Sequence, residues 1–231
     1  MQRVLVTGAN RGLGLAWVRH LAARGDEVFA TCRRPEAAAA LQALAEQEEN
    51  VHLLPMDVAD EESIRTACAQ IRQQGAVLDT VINNAGVLYE HETVDTLRPE
   101  HLLHACRVNA VGPMLVARAA LPLLRPAPRP VIFNVSTMLA SLTLKTFSGY
   151  YSYSASKAAL NMLTRTLAAE LRPQGIIVVA VHPGWVRTDM GGPQAPLSPQ
   201  ASVEGMSALL ERLTMAHSGR FWTWEGKEHP W

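Results

Sequence analysis

The feature that most constrains the fold is a series of short apolar runs that do not alternate. They read RVLVT (3–7), EVFAT (27–31), VHLLP (51–55), DTVIN (79–83), PVIFNVS (130–136) and IIVVAVHP (176–183). A strand with one wet face alternates apolar and polar residues. A strand buried on both faces does not, and such strands belong to a parallel sheet covered by helices. Helical stretches lie between the runs. GLAWVRHLAARG (14–25) ends in a glycine stop, RPEAAAALQALAEQEE (34–49) is alanine-rich, and DEESIRTACAQIRQQG (60–75) opens on Asp60 as an imperfect capping box. Residues 98–124 and 154–175 are long and amphipathic. Strand and helix alternating in this way predict an α/β fold, a doubly wound sheet with helices on both faces. The 231 residues suit one such domain, and no repeat or linker divides them. RPAPRP (125–130) is a connection that its prolines keep from being helical, and GGPQAPLSPQ (191–200) is a second loop, placed to move.

Composition narrows the class by exclusion. Lys plus Arg and Asp plus Glu balance at 21 each, so no global charge points to nucleic acid or an anionic membrane. Cys32, Cys68 and Cys106 are odd in number, widely spaced and free of any CxxC, which supports neither a disulfide framework nor a zinc site. The eight histidines are scattered. His101 and His104 are i,i+3 on one helix with no third ligand, so no metal is expected there. The run before Gly8 is too short for a signal peptide, and no run approaches the ~18 apolar residues of a membrane helix. The expectation is a soluble, cytoplasmic protein with reduced thiols.

Two stretches carry chemistry. TGANRGLG (7–14) places Gly8, Gly12 and Gly14 between the first strand and first helix. Glycine lets a backbone approach a ligand closely, and the helix N-terminus offers free N–H groups to a diphosphate. This turn predicts a dinucleotide site, although its spacing is G-x-x-x-G-x-G. GYYSYSASK (149–157) crowds three tyrosines into four positions. A tyrosine that gives up a proton near neutral pH needs a cation to favour its phenolate, and residues i and i+4 share a helix face. Tyr150 has Ser154 at i+4 and Tyr151 has Ala155; only Tyr153 has a lysine, Lys157. Tyr153 is therefore the candidate general acid/base.

In order along the chain, TGANRGLG, DV (57–58), NNAG (83–86), Asn109 in RVNAVGP, the hydroxyl pair in NVST (134–137), YSASK (153–157) and HPGWVRTDM (182–190) resemble the short-chain dehydrogenase/reductase family. The ending GRFWTWEGKEHPW and the loop TDMGGPQAPLSP resemble more narrowly its C-factor and sniffer-type carbonyl reductase branch. The resemblance covers nearly the whole chain. It implies a single Rossmann-like domain on a mostly parallel seven-stranded sheet, and an oxidoreductase that reduces a small carbonyl or oxidises an alcohol. A C-factor-like signalling protein that keeps the cofactor with little turnover is the other implication.

The resemblance also implies roles. Gly8, Asn10, Arg11, Gly12, Leu13 and Gly14 would hold the cofactor diphosphate, Asp57 and Val58 its adenine, and Asn83, Ala85 and Gly86 the ribose and nicotinamide side. Pro183, Gly184, Val186 and Thr188 would meet the nicotinamide. Lys157 would bind its ribose as well as serve Tyr153, and Asn109 would hold a water in the proton relay. The place of the acid that selects NAD holds Cys32, followed by Arg33. With Arg11 close by, two guanidiniums suit a 2′-phosphate, so NADP(H) is preferred, with NAD(H) allowed. The family's substrate-binding serine falls at Thr137, or at Ser136 after a one-residue shift, and both stay candidates. Residues 187–205 are expected to form a lid, and the long helices to pair copies as a homodimer or homotetramer.

Overall fold

The chain's structure, a computed structural model, describes residues 1–231. Strands β1 (Arg3–Thr7), β2 (Glu27–Cys32), β3 (Val51–Pro55), β4 (Thr80–Asn83), β5 (Val131–Val135), β6 (Ile177–His182) and β7 (Phe221–Thr223) form one sheet in the order β3-β2-β1-β4-β5-β6-β7. Every neighbouring pair is parallel. The six runs fall on the first six strands. The seventh is three residues long and was not visible as a run.

The lack of alternation in the runs has a direct cause. Val4 and Val6 enter one core and Leu5 the other; Val28 and Ala30 oppose Phe29; Phe133 opposes Ile132; Val179 opposes Val178. The first core is completed by helices α1 (Gly12–Ala23), α2 (Ala39–Gln47) and α7 (Pro199–Arg212). The second is completed by α3 (Glu61–Gln73), α5 (Gly112–Leu124) and α6 (Tyr151–Leu171). Side chains alternate between two apolar surroundings, so hydrophobicity along the strand does not.

Three helical expectations change in detail. The stretch 34–49 is not continuous: a short turn at Pro35–Ala37 is separated from α2 by Ala38, which leaves the helical region at φ −102°, ψ 66°. The stretch 98–124 holds α4 (Pro99–Cys106) and α5, joined through a wide π turn at Arg107–Val111. Pro113 explains the widening, since its ring would meet the carbonyl four residues back, that of Asn109, and it has no N–H to donate there. At the end of the expected lid, residues 199–205 are the first turns of α7, so the irregular segment stops at 198.

The order reverses between β1 and β4, and the carboxyl ends of those strands bracket a crevice. Trp17 of α1 anchors the first core; it is fully buried and meets Phe133 edge-on at 5.9 Å. Its indole N–H has no partner. Trp17→Ala is expected to cost about 3–5 kcal/mol in urea unfolding, whereas Trp17→Phe loses no hydrogen bond and costs much less.

Candidate active site

A cavity of about 610 Å³ opens over that crevice. One end is the turn after β1. Gly8 sits at φ +66°, and a Cβ there would stand 2.8 Å from the Ala85 Cα. Only glycine allows the turns after β1 and β4 to approach this closely. Thr7 fastens the same junction: its Oγ1 accepts from the N–H groups of Asn84 and Ala85, each at 3.0 Å, and its carbonyl accepts from Asn84 Nδ2 at 2.9 Å. No side chain caps α1, so its first-turn N–H groups are free to face a ligand.

Most of the expected residues line this one cavity. Asn10, Arg11, Gly12 and Leu13 lie at the glycine turn; Arg33, Asp57 and Val58 follow β2 and β3; Ala85 and Gly86 follow β4. Ser136, Thr137, Tyr153, Lys157, Pro183, Gly184, Val186 and Thr188 complete the wall. Three others do not reach it. Gly14 lies beneath the turn, where a Cβ would come 2.7 Å from Asn84 Nδ2. Asn83 is buried and donates to Asn134 Oδ1 at 2.8 Å and the Pro113 carbonyl at 3.3 Å. Its neighbour Asn84 lines the cavity instead. Asn109 stands behind Gly86, 3.2 Å from where a Cβ on that glycine would be.

The two arginines expected to converge are in different states. Arg11 is paired with Asp189 Oδ2 at 2.7 Å, both exposed, which ties the glycine turn to the segment following β6. Arg33 is exposed, lines the cavity and makes no ion pair, and Arg34 lines it as well. The wall between β2 and these arginines is Cys32, which burial pushes above its ordinary pKa.

At the other end, α6 presents Tyr153 and Lys157 one turn apart. Tyr153 is half-buried, and burial pushes its phenol up to about 12, with the Thr137 hydroxyl beside it pulling the other way. Lys157 is 3% exposed, its ammonium donates to the Val135 carbonyl at 2.7 Å, and burial brings it down to about 8. The expected lowering of the phenol by this lysine therefore does not appear: burial sets the direction, and the ammonium makes its hydrogen bond to the Val135 carbonyl and none to the tyrosine. The hydroxyl pair separates cleanly. Thr137 stands by the phenol, whereas Ser136 Oγ donates to Asn161 Oδ1 at 2.7 Å.

Asn109 is fully buried and its carboxamide is fully engaged. Nδ2 donates to the Val87 carbonyl and to Ser156 Oγ, both at 2.9 Å, and Oδ1 accepts from the Val87 N–H at 2.8 Å. It splints the turn after β4 to α6. Nothing in the sequence pointed to Asn84, Ser156 or Asn161 in these contacts, because each partner lies far along the chain. The histidines of α4 are occupied by Tyr89: His101 stacks on its ring at 3.8 Å and His104 Nδ1 meets its hydroxyl at 2.7 Å. No helix is long and apolar enough to cross a membrane.

The order of strands, the glycine turn at their reversal and the tyrosine–lysine pair beside it define a dinucleotide-type oxidoreductase fold. The chain belongs to the short-chain dehydrogenase family, whose model matches residues 2–196. Within it, the chain is 40% identical to the NADPH-bound carbonyl reductase from chicken fatty liver, with a TM-score of 0.95 over 100% of this chain and 99% of that one. It is 34% identical to the carbonyl reductase Sniffer of D. melanogaster, also at 0.95, over 100% of both chains. The C-signal of Myxococcus xanthus is 42% identical over 154 residues, which is 67% of this chain and 93% of that protein.

Asn109→Ala removes the partners of the Val87 N–H, the Val87 carbonyl and Ser156 Oγ at once. Leaving buried polar groups unpaired is expected to lower the unfolding free energy by roughly 1–3 kcal/mol or more, measured by urea denaturation.

Proposed function

We propose that the chain is an NADPH-dependent carbonyl reductase acting on a small carbonyl compound, with Tyr153 as the general acid/base. The observation that carries this reading is one wall of the cavity, where the Thr137 hydroxyl, the Tyr153 phenol and the Lys157 ammonium come together at the end opposite Arg33. The cavity fits a dinucleotide by its volume, by a lining that runs from the glycine turn to Tyr153, and by the uncapped start of α1. The carbonyl reductase from chicken fatty liver, similar over its whole length, is NADPH-bound. Bound here, a reduced nicotinamide supplies the hydride.

The protein's own part is the proton and its placement. A phenol held well above its ordinary value keeps its proton at neutral pH, which is the form that donates to a carbonyl oxygen. The charge of Lys157 then favours the phenolate left behind, and Thr137 donates to the same oxygen. Ser136 is held by Asn161 and supports the strand end. Arg33, free of any acid, takes the 2′-phosphate, while Arg11 works through Asp189. Residues 187–198 act as the lid, tethered by that pair. Copies pair through α4, α5 and α6, where Leu103 of α4, Val111 of the π turn before α5 and Met162 of α6 are exposed.

The likeness to the C-signal supports a second reading, a signalling protein with little turnover. The two separate in one experiment: Tyr153→Phe abolishes a catalytic effect and leaves a binding effect intact.

Against a panel of aldehydes and ketones with NADPH, Tyr153→Phe is expected to lower kcat by about 10²–10⁴-fold. Thr137→Ala should lower it by roughly 10²–10³-fold with cofactor binding kept, and Ser136→Ala much less. Equal losses at 136 and 137 would overturn that assignment. Arg33→Ala should raise the KM for NADPH roughly 10-fold or more and leave that for NADH nearly unchanged, from the loss of a charged hydrogen bond. Reduction should slow as pH rises through about 8, where Lys157 loses the proton whose charge supports the phenolate.

A further inference from the structure

Outside the groups used so far, the chain buries one carboxylate next to the catalytic helix. Glu92, in the connection between β4 and α4, is 5% exposed. Both of its oxygens are used by one residue: Oε2 accepts from the Ser152 N–H at 2.8 Å, and Oε1 accepts from Ser152 Oγ at 2.6 Å. Ser152 precedes Tyr153. Its N–H is one of the orphan donors of the first turn of α6, and no side chain of the helix's own N-cap, Tyr150, reaches back to it. A carboxylate near that end also meets the positive end of the helix dipole.

The backbone around this contact is unusual. Only two non-glycine residues in the chain have positive φ, His91 at 58° and Tyr150 at 57°. One is the residue before Glu92 and the other is two residues before Ser152. Gly149, at φ +85°, precedes Tyr150, and a Cβ on it would lie 3.6 Å from the Glu92 carbonyl. Left-handed conformations of non-glycine residues cost free energy and persist where surrounding structure holds them. Here both flank the same buried pair of hydrogen bonds.

We propose that Glu92 is a positioning residue that fixes the first turn of α6 and thereby sets the place of the Tyr153 phenol against Thr137. This rests on the reading of Tyr153 as proton donor. The charged and titratable groups around Glu92 are few. His101 Nδ1 stands 3.9 Å from Oε1, held flat against Tyr89, and Lys145 reaches the same corner by donating to the Gly149 carbonyl at 3.1 Å. Neither makes a close ion pair with the carboxylate, so its main partner is the helix itself.

The mechanical consequence is specific. The cofactor end of the cavity is built from strand ends and the start of α1, none of which touches Glu92. Loosening the first turn of α6 should therefore displace the phenol and leave the cofactor cradle in place. Near-attack geometry tolerates little error, and a misplacement of about 1 Å costs up to 10²-fold in rate.

The test uses full-length protein and the carbonyl that the wild type reduces fastest in the panel above. Glu92→Gln and Glu92→Ala are expected to lower kcat roughly 10- to 100-fold, with the Kd for NADPH within about twofold of wild type. Ser152→Ala keeps the backbone contact and should lose less than Glu92→Ala. Hydrogen exchange supplies a readout that needs no substrate: in Glu92→Ala, amides 152–155 should lose protection while α1 and the sheet keep theirs. Wild-type kcat or wild-type protection at 152–155 in Glu92→Ala would overturn the proposal. So would a parallel loss of kcat, NADPH affinity and protection across the sheet, which marks a general structural role. Failure of the proton-donor reading shows itself separately, as turnover unchanged in Tyr153→Phe with Glu92 intact.

Discussion

Burying one sheet on both faces is the constraint from which the rest follows. Parallel strands need crossovers, the crossovers are helices, and the helices cover the two faces in turn. Every strand then points the same way, so all the turns that leave the sheet toward the helices lie along one edge. Where the order reverses between β1 and β4, two of those turns diverge and leave a crevice. Thr7 and Gly8 keep its floor closed: the one accepts from the backbone of Asn84 and Ala85, the other allows the contact with Ala85. The cavity is thus a consequence of topology, and only its lining is a choice of side chains.

That distinction explains what could be read in the sequence. Residues placed by strand ends and by the 3.6-residue period were legible: the glycine turn, Arg33 after β2, and Tyr153 with Lys157 on α6. The period-2 alternation of a strand carries its own error, however. Asn83 and Asn84 are adjacent and alike, and without the register nothing says which faces the crevice; Asn83 turns inward to Asn134, and Asn84 lines the cavity with its amide on the carbonyls of Thr7 and Gly8. Long-range partners left no trace at all. Ser136 against Asn161, Asn109 against Ser156, and Glu92 against Ser152 join residues 25, 47 and 60 positions apart. Their residue types are common, and no periodicity relates them.

The tyrosine–lysine pair shows why spacing gives neighbours and not energies. At i and i+4 the two share a face, and proximity alone would lower the phenol. Burial acts on both groups in the direction of neutrality, raising the phenol and lowering the ammonium. The lysine meanwhile donates a hydrogen bond to a main-chain carbonyl at the end of β5. At neutral pH the phenol is therefore neutral, while the lysine is still an ammonium below about pH 8, with that carbonyl as its partner in the buried wall.

The two ends of the cavity differ in how they are held, and the difference has a functional logic. The end near Arg33 is fixed by backbone: sheet ladders, a glycine contact and a helix start that cannot shift without moving β1. The end near Tyr153 hangs on side chains, namely Asn109 splinting the turn after β4 to Ser156, Thr137 beside the phenol, and Glu92 at the first turn of α6. Around it loops supply part of the wall, and two large side chains that line it, Tyr150 and Trp185, are exposed. A backbone-built end suits a ligand of constant shape, and a side-chain-built end can be re-lined without disturbing the sheet. Sequence change at positions 138–150 and 187–198 would then re-line this end while Tyr153, held from beneath through α6, keeps its place.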